Sequence, residues 1–144
     1  MKRMTVAVCL DDRNGMGFGG RRQSRDRLLI ADFMQCCGSD RPVFAGTYSR
    51  LLFEEYPQVT VVDEPLLDCP NGGACFAELQ PLTPYLEQIA ELIVYRWNRL
   101  YPADMHFDVN LKEKGFILTS SCEFAGSSHD KITKEVYRRC VGEV

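Results

Sequence analysis

Between Asp11 and Arg22 the chain sets Asn14, Gly15, Gly17, Gly19 and Gly20 ahead of two arginines, Arg21 and Arg22. Glycines let a backbone take positive φ and approach a ligand closely. Guanidinium forks match the oxygens of phosphate and carboxylate. Such a loop, ahead of a helix, can cradle an anion. Its spacing is neither a Walker loop nor a dinucleotide fingerprint, and a surface loop with solvated arginines has the same composition. Further on, Asp104, His106 and Asp108 alternate. On an extended segment they share one face, and together they are a donor set for a hard or borderline metal ion. Only His106 is a distinctive ligand, so the reading taken is a hydrated edge segment with no metal. Arg96 and Trp97 point to opposite sides of any strand. Trp97 reads as core, and Arg96 as the partner of a carboxylate on a ligand or on this chain. Cys36 and Cys37 read as packing residues at a helix end rather than reactive thiols.

Regular elements must hold these residues. Thr5 to Leu10 is a continuous apolar run and predicts a strand buried on both faces, as in parallel sheets. Asp11 to Gly20 reads as a loop. Ser24 is the expected N-cap of a helix reaching about Cys37, with Asp26 favourable in its first turn. Leu29, Phe33 and Cys36 or Cys37 share its inner face, and Gly38 stops it. Pro42 to Ala45 predicts a second strand. Thr47 is the expected cap of a helix through Glu55, with Leu51 and Leu52 inward. Gln58 to Val62 is rich in β-branched residues and predicts a third strand. Asp63 to Gly73 reads as a loop. A short helix is expected at Pro84 to Ile89 and a strand from Glu91 to Trp97. Phe116 to Cys122 and Lys131 to Tyr137 predict an antiparallel pair around Gly126 to Asp130. Alternating strands and helices imply parallel crossovers upstream of that pair.

The 144 residues suit one domain spanning 1–144, since domains cluster near roughly 100–150 residues. The net charge of −3, from 17 basic and 20 acidic residues, argues against nucleic acid or an anionic membrane as partner. No apolar run approaches the roughly 20 residues of a membrane span, and the run after Arg3 is too short for a signal peptide. A cytoplasmic protein is therefore expected. Its 7 cysteines cannot all pair within one chain and read as reduced thiols. No Cys-x-x-Cys pair prepares a zinc ribbon. A nuclease of the ribonuclease Z kind has no support: its His-x-His-x-Asp-His pattern is absent, and His106 and His129 stand far apart.

The order of segments resembles the dihydrofolate reductase family. Val6-Ala7-Val8 followed by Asn14-Gly15-Met16-Gly17 is similar to that family's first strand and Asn-Gly-Ile-Gly loop. Gly20-Arg21 and then Asp26, in Arg25-Asp26-Arg27-Leu28, resemble its approach to a single catalytic carboxylate at a helix start. Val43-Phe44-Ala45-Gly46, followed by Thr47-Tyr48-Ser49, resembles its strand ending in glycine before a capped helix. Gly72-Gly73-Ala74-Cys75-Phe76 is similar to its Gly-Gly-Ala-x-Ile-Tyr. Ala90 to Val94, Ala103 to Phe107 and Glu135 to Arg139 follow its later motifs in order. The resemblance implies an α/β, three-layer dihydrofolate-reductase-like fold, with a mostly parallel central sheet and an antiparallel C-terminal hairpin.

The departures bear on function. Arg22-Gln23-Ser24 stands where the family has Leu-Pro-Trp, its phosphate-binding arginine is replaced by Thr47 or deleted, and Arg96 falls at its threonine. The segment from Thr47 to Gly72 is short for the usual cofactor elements. Leu67 to Pro70 cannot form well the strand expected ahead of Gly72-Gly73, because proline lacks a ladder donor. The expectation is a non-catalytic binder of a small nucleotide-like or anionic ligand. Its binding residues are Asn14, Gly15, Gly17, Arg21, Arg22, Gly46, Thr47, Gly72, Gly73 and Arg96. The alternative is an NADPH-dependent reductase of a pterin or related heterocycle. Asp26 would then hold and protonate the substrate, although the reading taken for it is an acid at a helix start that favours the dipole. A homo-oligomer through a sheet edge or apolar patch is a third reading.

Overall fold

The computed structural model describes residues 2–139; Met1 and Cys140 lie outside them. Strand β1 (Met4–Leu10) is buried along almost its whole length, as its unbroken apolar sequence requires. A hairpin follows, β2 (Gly15–Phe18) and β3 (Arg21–Arg22), and then helix α1 (Arg27–Cys37). β4 (Val43–Gly46) leads into a 3-10 helix, Thr47–Phe53. β5 (Thr60–Val62), a one-turn helix α2 (Pro65–Asp68) and β6 (Ala74–Phe76) come next. A second 3-10 helix, Thr83–Gln88, enters β7 (Ile89–Arg96). β8 (Met105–His106), β9 (Phe116–Phe124) and β10 (Ile132–Arg139) complete the described chain.

The central sheet has 7 strands in the order β5-β4-β6-β1-β7-β10-β9. The five strands from β5 to β7 run parallel, while β10 and β9 add antiparallel at one edge. β3, β2 and β8 form a separate ribbon of 3 strands. Alternation sorts the side chains into two cores. Val6, Val8, Leu10, Cys75, Leu92 and Val94 point to one face, where Leu66, Leu82 and Leu86 cover them. Ala7, Ala45, Phe76, Ile93, Tyr95 and Trp97 point to the other, under α1. The small Ala7 and Ala45 make room there for an aromatic trio. Phe33 of α1 lies 5.4 Å from Phe76 and 6.2 Å from Phe53, and Phe53 lies 5.3 Å from Phe76.

The structure corrects several local expectations. Asp11 to Gly20 is not plain loop: Gly15 to Phe18 pair with Arg21–Arg22 and with β8. α1 is capped by Asp26, not Ser24, through bonds from the Leu28 and Leu29 amides. Cys37 is its buried cysteine and Cys36 is exposed. After Gly46 the chain winds as a 3-10 helix with no side-chain cap from Thr47. Winding at about 3.0 residues per turn rotates the inner face, so Phe53 is buried while Leu51 is 69% exposed. Within Asp63 to Gly73 the chain forms α2, with proline in its first turn. The six cysteines among the described residues are unpaired thiols. Burial pushes the Cys37 thiol up to about 11, which suits a packing role.

Phe33→Ala is expected to remove about 3–5 kcal/mol of stability, because it opens a hole in the aromatic trio. Urea denaturation measures it. A loss no larger than that of Leu51→Ala would mean the trio is not the core of this face.

Candidate functional site

In open α/β sheets, ligands bind beyond the carboxyl ends of the parallel strands. Here those ends deliver Asp11 after β1, Thr47 after β4, Ala77 and Glu78 after β6, and Trp97 after β7. A cleft of about 350 Å³ opens between the start of α1 and the 3-10 helix with Tyr56. Arg25, Asp26, Arg27, Ile30, Leu51, Leu52, Glu54, Glu55 and Tyr56 line it, with Ser127 and Ser128 from the hairpin tip. The centre of the strand ends is filled instead: the hollow among Cys9, Met16, Ser24, Ala77 and Trp97 holds about 10 Å³. A third hollow, about 80 Å³, lies at Gly46, Thr47, Asp63 and Glu78.

Asp26 is 3% exposed. A buried carboxylate needs its lone pairs met, and this one is surrounded by donors. Oδ1 accepts the Leu28 and Leu29 amides at 3.0 and 3.2 Å, and the Ser127 amide and hydroxyl at 2.9 and 3.1 Å. Oδ2 accepts the Ser128 amide and the His129 Nδ1–H, both at 2.9 Å. Gly126 permits this approach, since a Cβ there would collide with the carboxylate. Burial pushes the carboxyl's pKa up. The bonds from Ser128, His129, Ser127 and Leu29 outweigh it and hold the group well below the usual carboxylate range. His129 in turn offers Nε2 to the Ser24 hydroxyl at 2.9 Å and the Tyr101 hydroxyl at 3.2 Å. Trp97 stacks on its ring at 4.5 Å.

The filled centre is an ion pair. The Arg22 guanidinium donates twice to the Glu78 carboxylate, at 2.8 and 2.9 Å. It also lies 4.4 Å over the Tyr48 ring. The Arg22 amide donates to the Tyr48 hydroxyl at 2.9 Å, and Ser49 Oγ donates to Glu78 at 2.7 Å. The β2–β3 ribbon is thereby bolted across the ends of β6 and β4. Asp11 fixes the root of the same ribbon. It accepts the Arg13 and Gly15 amides at 2.8 and 2.7 Å and the Gln23 side chain at 2.8 Å. Burial raises its carboxyl, and those bonds with one from Tyr101 bring it below its ordinary value.

The remaining expected site residues scatter. Gly15 and Gly17 are buried in the ribbon, and Arg21 is exposed on it. Gly46 and Thr47 border the third hollow. Arg96 donates to Glu135 at 2.9 Å and to Asn14 at 2.8 Å, so its partners are groups of this chain. Arg96 and Asn14 border an open groove of about 450 Å³ with Phe107 and Asn110. Gly72 and Gly73 precede β6 and bond Arg3 and Thr5 at the amino end of β1, the opposite end of the sheet from the cleft. The Asp104 and Asp108 carboxylates accept backbone amides of Gly19, Leu82 and Thr83. No group of three metal-ligating side chains occurs among the described residues. Sequence reading missed Glu78, Tyr48, Ser127, Ser128 and His129. The one available signal was the polar run Ser127-Ser128-His129 between two strands.

No family model matches the chain, and no curated protein matches its sequence. Among solved structures it is similar to a dihydrofolate reductase from Enterococcus faecalis complexed with NADP(H) and RAB-propyl. The TM-score is 0.67 at 10% identity, over 96% of this chain and 97% of that one. At that identity the likeness speaks for the fold, which is dihydrofolate-reductase-like.

Because folding lowers the proton affinity of Asp26, its stabilisation is complete above about pH 5 and is lost as acid titrates the carboxyl below about pH 4. Asp26→Asn keeps a cap for α1 but turns an amide NH₂ toward donors. It is expected to cost about 1–3 kcal/mol and to flatten the acid limb of stability against pH. Urea melts from pH 3 to 7 read both effects, and an unchanged acid limb would remove Asp26 from this role.

Proposed function

We propose that this chain is a binding protein on a dihydrofolate-reductase-like scaffold, taking a small nucleotide-like or anionic ligand without hydride transfer. The observation that carries this reading is the contrast between the filled centre and the open cleft. A flat nicotinamide or pterin ring needs space where the strands end, and the Arg22–Glu78 pair leaves about 10 Å³ there. The hollow at Gly46 and Thr47 has Asp63 on its wall and no cation among its lining residues, and Glu78 there is already paired with Arg22, so the diphosphate of NADPH meets no counter-charge. The residues present do not fit that cofactor. The cleft beside α1 offers about 350 Å³ with Arg25 and Arg27 on one wall. Ile30, Leu51, Leu52 and Tyr56 give apolar cover, and Glu54 and Glu55 can accept from amino or hydroxyl groups. That combination suits a charged, flat, hydrogen-bonding molecule.

One observation favours a second reading, an NADPH-dependent reductase of a pterin or related heterocycle: the similar solved structure is a reductase complexed with NADP(H). It requires the β2–β3 ribbon to lift and release Glu78. Metal chemistry has no donor cluster to support it among the described residues. No helix there is long and apolar enough to cross a membrane.

Calorimetric titration with adenosine monophosphate is expected to saturate, and the Arg25→Glu/Arg27→Glu variant to bind at least about tenfold more weakly, a change of roughly 1.4 kcal/mol. Titration with NADPH, with and without dihydrofolate, is expected to show no saturation. Tight NADPH binding with turnover would replace this reading by the reductase.

A further inference from the structure

We infer that Ser24 is a nucleophile activated by His129, and that it takes up short acyl groups from carboxylic esters. This goes beyond ligand binding and does not rest on the cleft proposed above. Its basis is a carboxylate–imidazole–hydroxyl relay assembled from three places in the chain. Asp26 Oδ2 stands 2.9 Å from His129 Nδ1, and His129 Nε2 stands 2.9 Å from Ser24 Oγ. The carboxylate fixes the tautomer: Nδ1 carries the proton and Nε2 is left as acceptor. The ring cannot turn away, because Trp97 stacks on it at 4.5 Å and its side chain is 4% exposed. The Asp26 side chain is 0% exposed, whereas Ser24 is half-buried. The relay therefore runs from a fully covered carboxylate to a residue that meets solvent.

Asp26 is a positioning residue, held ionised by its bonds to Ser127, Ser128 and Leu29. Among the described residues no acceptor is paired with the amides of Ser24 or Arg25. These are the unpaired backbone donors nearest in sequence to Oγ, where the ester carbonyl oxygen becomes an oxyanion as Oγ attacks. The hollow at Ser24, lined by Cys9, Met16, Ala77 and Trp97, holds about 10 Å³. That is room for no more than a water, so the acyl group must be short and must reach Oγ from the solvent-facing side of Ser24. The Ser24 proton passes to Nε2 as Oγ bonds the ester carbonyl carbon. The C–O bond to the alcohol then breaks, and the alcohol leaves with that proton. Water reverses the sequence: its proton goes to Nε2, its oxygen bonds the acyl carbon, and Ser24 regains its hydrogen as the acid departs. Tyr101, 3.2 Å from Nε2, competes for the same lone pair.

The test treats the full chain with p-nitrophenyl acetate and, separately, with a fluorophosphonate, and maps adducts by peptide mass. A single adduct on Ser24 is expected, absent in Ser24→Ala. Removing the base should slow labelling about 100-fold, measured in His129→Gln with folding checked by circular dichroism. Tyr101→Phe should speed labelling, because Nε2 is freed for Ser24, and it alters nothing buried against the carboxylate. Folded wild-type protein that leaves Ser24 unlabelled would overturn the inference. Equal rates in wild type and folded His129→Gln would overturn it too.

Discussion

The Asp26 carboxylate is the constraint on which the site's other contacts depend. It begins α1 and, 101 residues later, receives the Ser127 amide. An ionised group buried this deeply is tolerated only while its donors stay in place. The hairpin tip, the helix start and the loop between them are therefore fixed together. From the carboxylate the bonds run on through His129 to Ser24 and Tyr101, and the Tyr101 amide reaches Asp11 at 3.3 Å. Asp11 then holds Gln23 and the root of the ribbon. One anion thus sets the position of the chain from Asp11 to α1.

Fold and chemistry separate in this molecule. The sheet, its crossovers and its antiparallel edge follow a dihydrofolate-reductase-like plan over nearly the whole chain. What stands at the strand ends is set by a few polar residues outside both cores. Glu78 follows β6, and its charge recruits Arg22, Tyr48 and Ser49 into a cap over the centre. A scaffold keeps its shape under such changes because the two cores lie beneath the sheet's faces, whereas ligands meet only its ends.

The legible parts of the sequence were those governed by neighbours along the chain. The apolar run at Thr5 to Leu10 became β1, the stripe Leu29–Phe33–Cys37 became the inner face of α1, and Gly38 ended it. Residues 84–97 split into a short 3-10 turn and a strand, as their mixed pattern suggested. The illegible parts are set by partners far away. Ser24 has good N-cap chemistry, but the cap is Asp26, because only its carboxylate meets Ser127 and Ser128 from the hairpin. Gly72-Gly73 suggested a strand end at a ligand, yet the pair precedes β6 and sits at the opposite end of the strands from the cleft. The role of Glu78 depends on an arginine 56 positions earlier, and nothing local announces it.

The placing of β1 at the middle of the sheet also sets how the molecule must fold. Thr5 pairs with Ala74 on one side and with Glu91 on the other, so the first strand in sequence waits for partners near the chain's midpoint and beyond. Closing loops of that length carries an entropic penalty before any pairing energy returns, and sheets rich in such long-range contacts fold slowly. α1 and the β4–β5 pair form from nearer neighbours. During synthesis this long buried strand is thus made first and held unpaired the longest, and its shielding in that interval falls to the small structures that assemble around it.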